Sequence, residues 1–83
     1  MNTRLYVGNL SKTTTEDDLQ TLFTEMGPVT SVAIPSDPKT GVKKSFGFVE
    51  MGTTEGAEAA VKGINGRMLH DNELRVNESH PRK

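Results

Sequence analysis

Lys44-Ser45-Phe46-Gly47-Phe48-Val49-Glu50-Met51 is rich in aromatic and β-branched residues and bounded by turn formers, so it reads as a β-strand. Side chains alternate across a strand. One face therefore carries Lys44, Phe46, Phe48 and Glu50, and the other Ser45, Gly47, Val49 and Met51. Both large rings share a face with the charges. The opposite face is small and aliphatic, which suits a helix packed against it. The phenylalanine face is expected to look outward, because exposed flat rings beside a lysine make poor packing and good platforms for stacking bases. Taken alone, the stretch also fits an ordinary strand whose phenylalanines are core.

A second stretch weighs against that alternative. Leu5-Tyr6-Val7-Gly8-Asn9-Leu10 also reads as a strand, with Tyr6 on one face beside Arg4 and Gly8, and Leu5 and Val7 on the other. The aromatic again sits with the basic residue. The chain has one tyrosine, three phenylalanines and no tryptophan, and all but Phe23 lie in these two strands. A chain so poor in aromatics would ordinarily place them in its core.

The elements between and beyond these strands complete a simple order. Residues 3–8 form the first strand and Asn9 to Thr14 a polar loop. Thr15 is a helix N-cap with Asp18 three residues on, and acids in the first turn suit the helix dipole. Leu19, Leu22, Phe23 and Met26 make one apolar stripe, and Gly27-Pro28 stops the helix. Val29 to Pro35 form the second strand, with Val32 and Ile34 on one face and Ser31, Ala33 and Pro35 on the other. Pro35 lacks an N–H, so this strand belongs at an edge. Residues 36–41 are turn formers, and with Val42 and Lys43 they make a mobile, basic hairpin loop able to grip phosphate. After the third strand, Thr53 or Thr54 caps a second helix, whose Ala57, Ala60, Val61 and Ile64 form the second stripe. Arg67 to Leu69 can form a short extended arm, Asp71-Asn72 a turn, and Glu73 to Asn77 the last strand. Leu74 and Val76 face the core there, and Arg75 and Asn77 face out. The order is βαβ followed by βαβ, which predicts an α+β fold: a four-stranded antiparallel sheet with both helices on one face. Right-handed crossovers give sheet order 4-1-3-2 in strand sequence numbers, so Tyr6, Phe46 and Phe48 become neighbours on the uncovered face.

Composition narrows the possible chemistry. Eighty-three residues support one small domain, with its core at about 3–78 and a short polar tail over 79–83. The absence of cysteine excludes disulfides, thiolate zinc sites and iron–sulfur clusters. His70 and His80 are too far apart in the chain to suggest a metal site, so no metal and no cofactor is expected. No apolar run reaches the roughly 18 residues of a membrane span, and Leu5–Leu10, directly after Arg4, is too short for a secretory h-region. These features point to a soluble intracellular protein: cytoplasmic, or nuclear or organellar if the source is eukaryotic. The net charge of −1 argues against strong, purely electrostatic nucleic-acid binding. Its distribution argues the other way. Of the basic residues only Lys62 falls in a predicted helix, whereas Glu16, Asp17, Asp18, Glu25, Glu55 and Glu58 all do. The expected molecule has an acidic back and a mildly basic front.

At these residues the sequence resembles the RNA recognition motif family. Leu5–Leu10 looks like the family's hexamer signature and Lys44–Met51 like its octamer, matching five of the seven specified positions of Lys/Arg-Gly-Phe/Tyr-Gly/Ala-Phe-Val-x-Phe/Tyr. Ser45 and Met51 are the departures, and both are expected on the inward face. The resemblance extends over nearly the whole chain and implies the ferredoxin-like, split βαβ sandwich. The short chain is also similar to small one-domain RNA-binding proteins of bacteria. The resemblance implies that Tyr6 and Phe48 stack on successive bases, that Phe46 lies against a ribose and that Lys44 pairs with phosphate. It implicates Arg75, Asn77 and Ser79 in reading base edges, with Arg4 and Asn9 at the margin of the patch.

The implied partner is single-stranded RNA, with single-stranded DNA as the alternative polymer, bound by a monomer without catalysis, membrane or small-molecule substrate. Two or three base stacks must offset the cost of association, so binding on the order of micromolar or weaker is expected. Two other functions fit less well. Some domains resembling the family hold peptides on the helical back or on a modified sheet, but these often lack the sheet aromatics. Acylphosphatase shares the layout, yet its phosphate loop needs a positioned arginine after the first strand, where Gly8–Thr14 carries only Lys12. No nucleophile–base pair stands out elsewhere.

Overall fold

Alternation decides which side of the sheet is buried. In β1 (Arg4–Gly8) Leu5 and Val7 are fully buried while Arg4 and Tyr6 are exposed, and in β3 (Gly47–Met51) Val49 and Met51 are buried while Glu50 is exposed. The computed structural model describes residues 3–42 and 44–79. Lys43, assigned above to the basic loop, and His80, Arg82 and Lys83 of the tail lie outside the described residues. Strand β2 (Val29–Ala33) pairs with β3, and β1 lies between β3 and the last strand, β6 (Arg75–Glu78), so the order is β2-β3-β1-β6 with every pairing antiparallel. This is the 4-1-3-2 order expected from the sequence. Strand β2 is an edge, as Pro35 implied. It carries a bulge between Val29 and Ser31, where the Thr30 hydroxyl donates to the Glu50 carbonyl at 3.0 Å.

Both helices cover the inward face. Helix α1 (Glu16–Thr24) starts at Thr15, whose hydroxyl accepts from the Asp18 N–H at 3.1 Å while the Asp18 carboxylate accepts from the Thr15 N–H at 3.0 Å. This reciprocal pair satisfies two backbone donors that a helix start otherwise leaves open. The Thr15 N–H, and next the His70 ring 3.0 Å away, hold the Asp18 carboxyl below its ordinary range. Leu19 and Phe23 of α1 are fully buried. Helix α2 (Thr54–Ile64) is capped by Thr53, whose hydroxyl accepts from Gly56 N–H at 3.0 Å, and it buries Ala57, Ala60 and Ile64 against the same core.

Several boundaries differ from the sequence expectation, and β2 ends at Ala33 rather than Pro35. Strand β3 begins at Gly47 rather than Lys44, because the preceding backbone is engaged elsewhere: Lys44 N–H donates to the Pro35 carbonyl at 2.8 Å and the Ser45 carbonyl accepts from Leu10 N–H at 2.7 Å. The alternation therefore stops short of Ser45, which is exposed and not inward. The arm after α2 is a hairpin of β4 (Met68–Leu69) and β5 (Asn72–Glu73). Its turn falls at His70-Asp71, both with positive φ, 51° and 67°, the conformation that a two-residue hairpin turn favours. The sequence placed that turn one residue later and ran Glu73 into the last strand. Buried Leu74 separates the two pieces, its N–H donating to the Arg67 carbonyl and its carbonyl accepting from Gly66 N–H.

Gly47 is where two backbones meet most closely. A Cβ built there would lie 2.7 Å from the Ala33 carbonyl oxygen and 3.1 Å from Ile34 Cγ1. Gly47→Val adds two further methyls and forces β2 away from β3. It is expected to destabilise the fold by about 1–3 kcal/mol, measured by urea unfolding.

Candidate nucleic-acid interface

The outer face of the sheet is an ordered lattice of side chains. Register puts Ala33, Phe48, Tyr6 and Asn77 in one row across all four strands. Ser31, Glu50 and Arg4 form the adjacent row, and Ser79 N–H donates to the Arg4 carbonyl at 2.8 Å at its end. On the other side of the aromatic row, Gly8 pairs with Arg75.

The three rings touch. Tyr6 and Phe46 are stacked, with centroids 5.9 Å apart and planes at 25°. Phe48 stands edge-on to both, 6.0 Å from Tyr6 and 5.9 Å from Phe46. These separations lie in the range where aromatic pairs attract. Tyr6 is 36% exposed, and Phe46 and Phe48 are half-buried. The Tyr6 ring leans over Gly8: a Cβ at Gly8 would come within 2.9 Å of the ring carbon Cε2 and 3.0 Å of the hydroxyl oxygen. Glycine two residues after the tyrosine thus lets the ring lie back along the sheet.

Charge rims this apolar patch. The Arg4 guanidinium carbon sits 4.8 Å from the Phe48 centroid, a cation–π distance, so part of the Phe48 face is covered by a cation. Lys44 is exposed just before Phe46. Arg75 and Asn77 are exposed on β6, with Arg75 4.0 Å from Glu73. Ser79 is half-buried beyond that strand. Register, ring contacts and the cation–π pair thus bring Tyr6, Phe46, Phe48, Arg4 and Asn77 together. Asn9 is placed differently. Its backbone has positive φ at 62°, its amide nitrogen donates to the Glu73 carbonyl at 2.7 Å, and its own carbonyl accepts from the Asn72 amide at 3.3 Å. It ties the β4–β5 hairpin to the end of β1. Glu50, Ser31 and Ala33 share the outer face but did not enter the sequence-derived site. Alternation alone had put them there.

The opposite side is acidic, and part of that charge is partnered. Glu25 meets Arg67 at 3.4 Å, Glu58 meets Lys62 at 3.8 Å, and the Glu16 carboxylate accepts from Ile34 N–H at 3.2 Å. Among the described residues no cluster of histidine and acid side chains could hold a metal ion. No helix among the described residues is long and apolar enough to cross a membrane.

Comparison with known proteins agrees with this geometry. The model of the RNA recognition motif matches residues 5–75. The chain is 43% identical to RbpE of Nostoc sp. strain PCC 7120 over 79 residues, which are 95% of this chain and 80% of that protein. Among solved structures, RNA Binding Protein PG1 superposes with a TM-score of 0.92 at 34% identity, over 98% of each chain. The Sxl-lethal protein in its complex with RNA superposes with a TM-score of 0.92 at 30% identity, over all of this chain and 50% of that one.

Proposed function

The chain belongs to the RNA recognition motif family, and from that membership we propose that it binds single-stranded RNA by stacking bases on its sheet, without catalysis. The observation that carries this is the triad of Tyr6, Phe46 and Phe48, whose ring centroids lie within 6.0 Å of one another on the face that no helix covers. Tyr6 and Phe48 take successive bases, Phe46 lies against a sugar, and Lys44 meets a phosphate. Arg75, Asn77 and Ser79 line the path of the strand beyond Tyr6 and offer donors to base edges. Arg4 flanks the base on Phe48, and Asn9 marks the margin, where its amide also fixes the hairpin. The protein acts as a monomer in the cytoplasm, as one domain over residues 1–83.

Stacking is worth about 1–3 kcal/mol per base. Two or three stacks, less association costs of about 4 kcal/mol or more, leave at most about 5 kcal/mol, so affinity reaches the micromolar level only with the added contacts of Lys44 and β6 and is otherwise weaker. The cations Arg4, Lys44 and Arg75 engage at most a few phosphates. With about 0.7 counterions released per single-strand phosphate contact, raising salt from roughly 50 to 200 mM should weaken binding about ten- to twentyfold. Fluorescence anisotropy with a degenerate RNA hexamer checks this. A loss of three or more orders of magnitude would mean an electrostatic binder, and no binding at low salt would sink the proposal. Single-stranded DNA of the same sequence separates stacking alone from contacts to the 2′-hydroxyl.

A further inference from the structure

Glu50 is an acid on a surface meant for a polyanion. Its side chain is exposed on the outer face, in register with Arg4 on β1 and Ser31 on β2. Opposite charges facing each other across two strands ordinarily pair. Here the Arg4 guanidinium is instead drawn over the Phe48 ring. Among the described residues, no hydrogen bond or ion pair engages the Glu50 carboxylate. An unpaired carboxylate here repels phosphates, so its presence calls for a compensating contact with something other than phosphate.

Geometry supplies one. Glu50 and Phe48 are two residues apart on one strand face, about 7 Å along the sheet. A base stacked on Phe48 therefore has an edge within reach of the Glu50 carboxylate. We infer that Glu50 is a base-selecting residue that accepts hydrogen bonds from guanine, its two oxygens taking the N1–H and the N2 amino group of a base stacked on Phe48. This rests on the RNA-binding reading and deepens it.

The donor pattern of the bases singles out guanine. An ionised carboxylate only accepts, through two oxygens side by side. The Watson–Crick edge of guanine offers two adjacent donors that match them. Adenine and cytosine each present one amino group next to a ring nitrogen whose lone pair faces the second oxygen. Uracil presents one N–H between two carbonyl oxygens. Charge-assisted, paired hydrogen bonds are the strong kind, whereas a mismatched base leaves a desolvated carboxylate oxygen against another acceptor.

The test uses the full chain and uridine-rich RNA hexamers carrying guanine, adenine, cytosine, uracil or hypoxanthine at one central position, with affinities read by anisotropy. The wild-type protein should prefer the guanine hexamer by about tenfold, within the range of one bidentate base contact. Hypoxanthine, which lacks the amino group, should lose several-fold of that preference. Glu50→Gln replaces one acceptor with a donor, and Glu50→Ala removes both. Each should bring the five affinities to within about twofold of one another. Heteronuclear NMR spectra establish that both variants fold. If Glu50→Gln instead tightens all hexamers alike and keeps the guanine preference, Glu50 acts only by repelling phosphate and the inference is overturned. If the wild-type protein binds every hexamer equally, the inference fails while RNA binding stands. If it binds none, the RNA-binding reading itself fails, and Glu50 with it.

Discussion

Replacing Phe46 and Phe48 together with alanine lowers RNA affinity by on the order of a hundredfold or more while the domain stays folded. The size follows from losing the base stack on Phe48, worth about 1–3 kcal/mol, together with the sugar contact of Phe46 and the ring contacts both make to Tyr6. The folded state survives because both rings are half-buried on the outer face and lie outside the core built around Leu5, Val49 and Phe23. What stability is lost comes from the ring pairs with Tyr6 and from the Arg4 contact to Phe48. Such surface pairs contribute about 0.5–1.5 kcal/mol each, so the three together cost about 1.5–4.5 kcal/mol and should lower the melting temperature by about 6 °C or more. Anisotropy titration and thermal unfolding of the same variant measure both quantities. Unchanged affinity in a folded double variant would move the RNA site off the sheet.

The mirror-image variant is Phe23→Ala, which should cost about 3–5 kcal/mol of stability. Phe23, on the inner side of α1, is the largest completely buried side chain among the described residues. A domain of this size has roughly 0.05–0.15 kcal/mol of stability per residue. The substitution therefore removes between a quarter and all of it, and the melting temperature should fall by about 15 °C or more. Whatever fraction stays folded should bind RNA with the wild-type affinity per folded molecule. The two variants together separate the aromatic that holds the fold from the aromatics that serve the surface. A Phe23→Ala protein that melts like the wild type would mean that the core is not packed as described.

That division was legible in the chain because it depends on local periodicity. The period of two in Arg4–Gly8 and Gly47–Met51 sends Tyr6 and Phe48 one way and Leu5 and Val49 the other. The helical spacing of Leu19 and Phe23 sends both inward. The Thr15 cap with Asp18 was equally visible, since both partners lie within one turn. What was not legible depends on partners far along the chain. The start of β3 is set by Pro35 and Leu10, which take the backbone of Lys44 and Ser45 out of the ladder. The hairpin turn at His70-Asp71 needs two non-glycine residues with positive φ, which turn propensities weigh against. It is favoured by contacts that no local window contains: Asn9 bonded to Glu73 and Asn72, and His70 bonded to Asp18. In the site, sequence could name Arg4 as a neighbour of the patch. That its guanidinium rests on Phe48, leaving Glu50 unpaired, is a matter of side-chain direction that only the assembled sheet decides.

The most direct test of the sheet as the RNA site is an NMR titration of isotope-labelled protein with a degenerate single-stranded RNA hexamer at low salt. Stacking on the outer face predicts shifts concentrated at Tyr6, Lys44, Phe46, Phe48 and Asn77, fading as salt rises, with the residues of α1 and α2 nearly still. Shifts confined to the acidic helices, or a silent sheet on a well-folded protein, would contradict it.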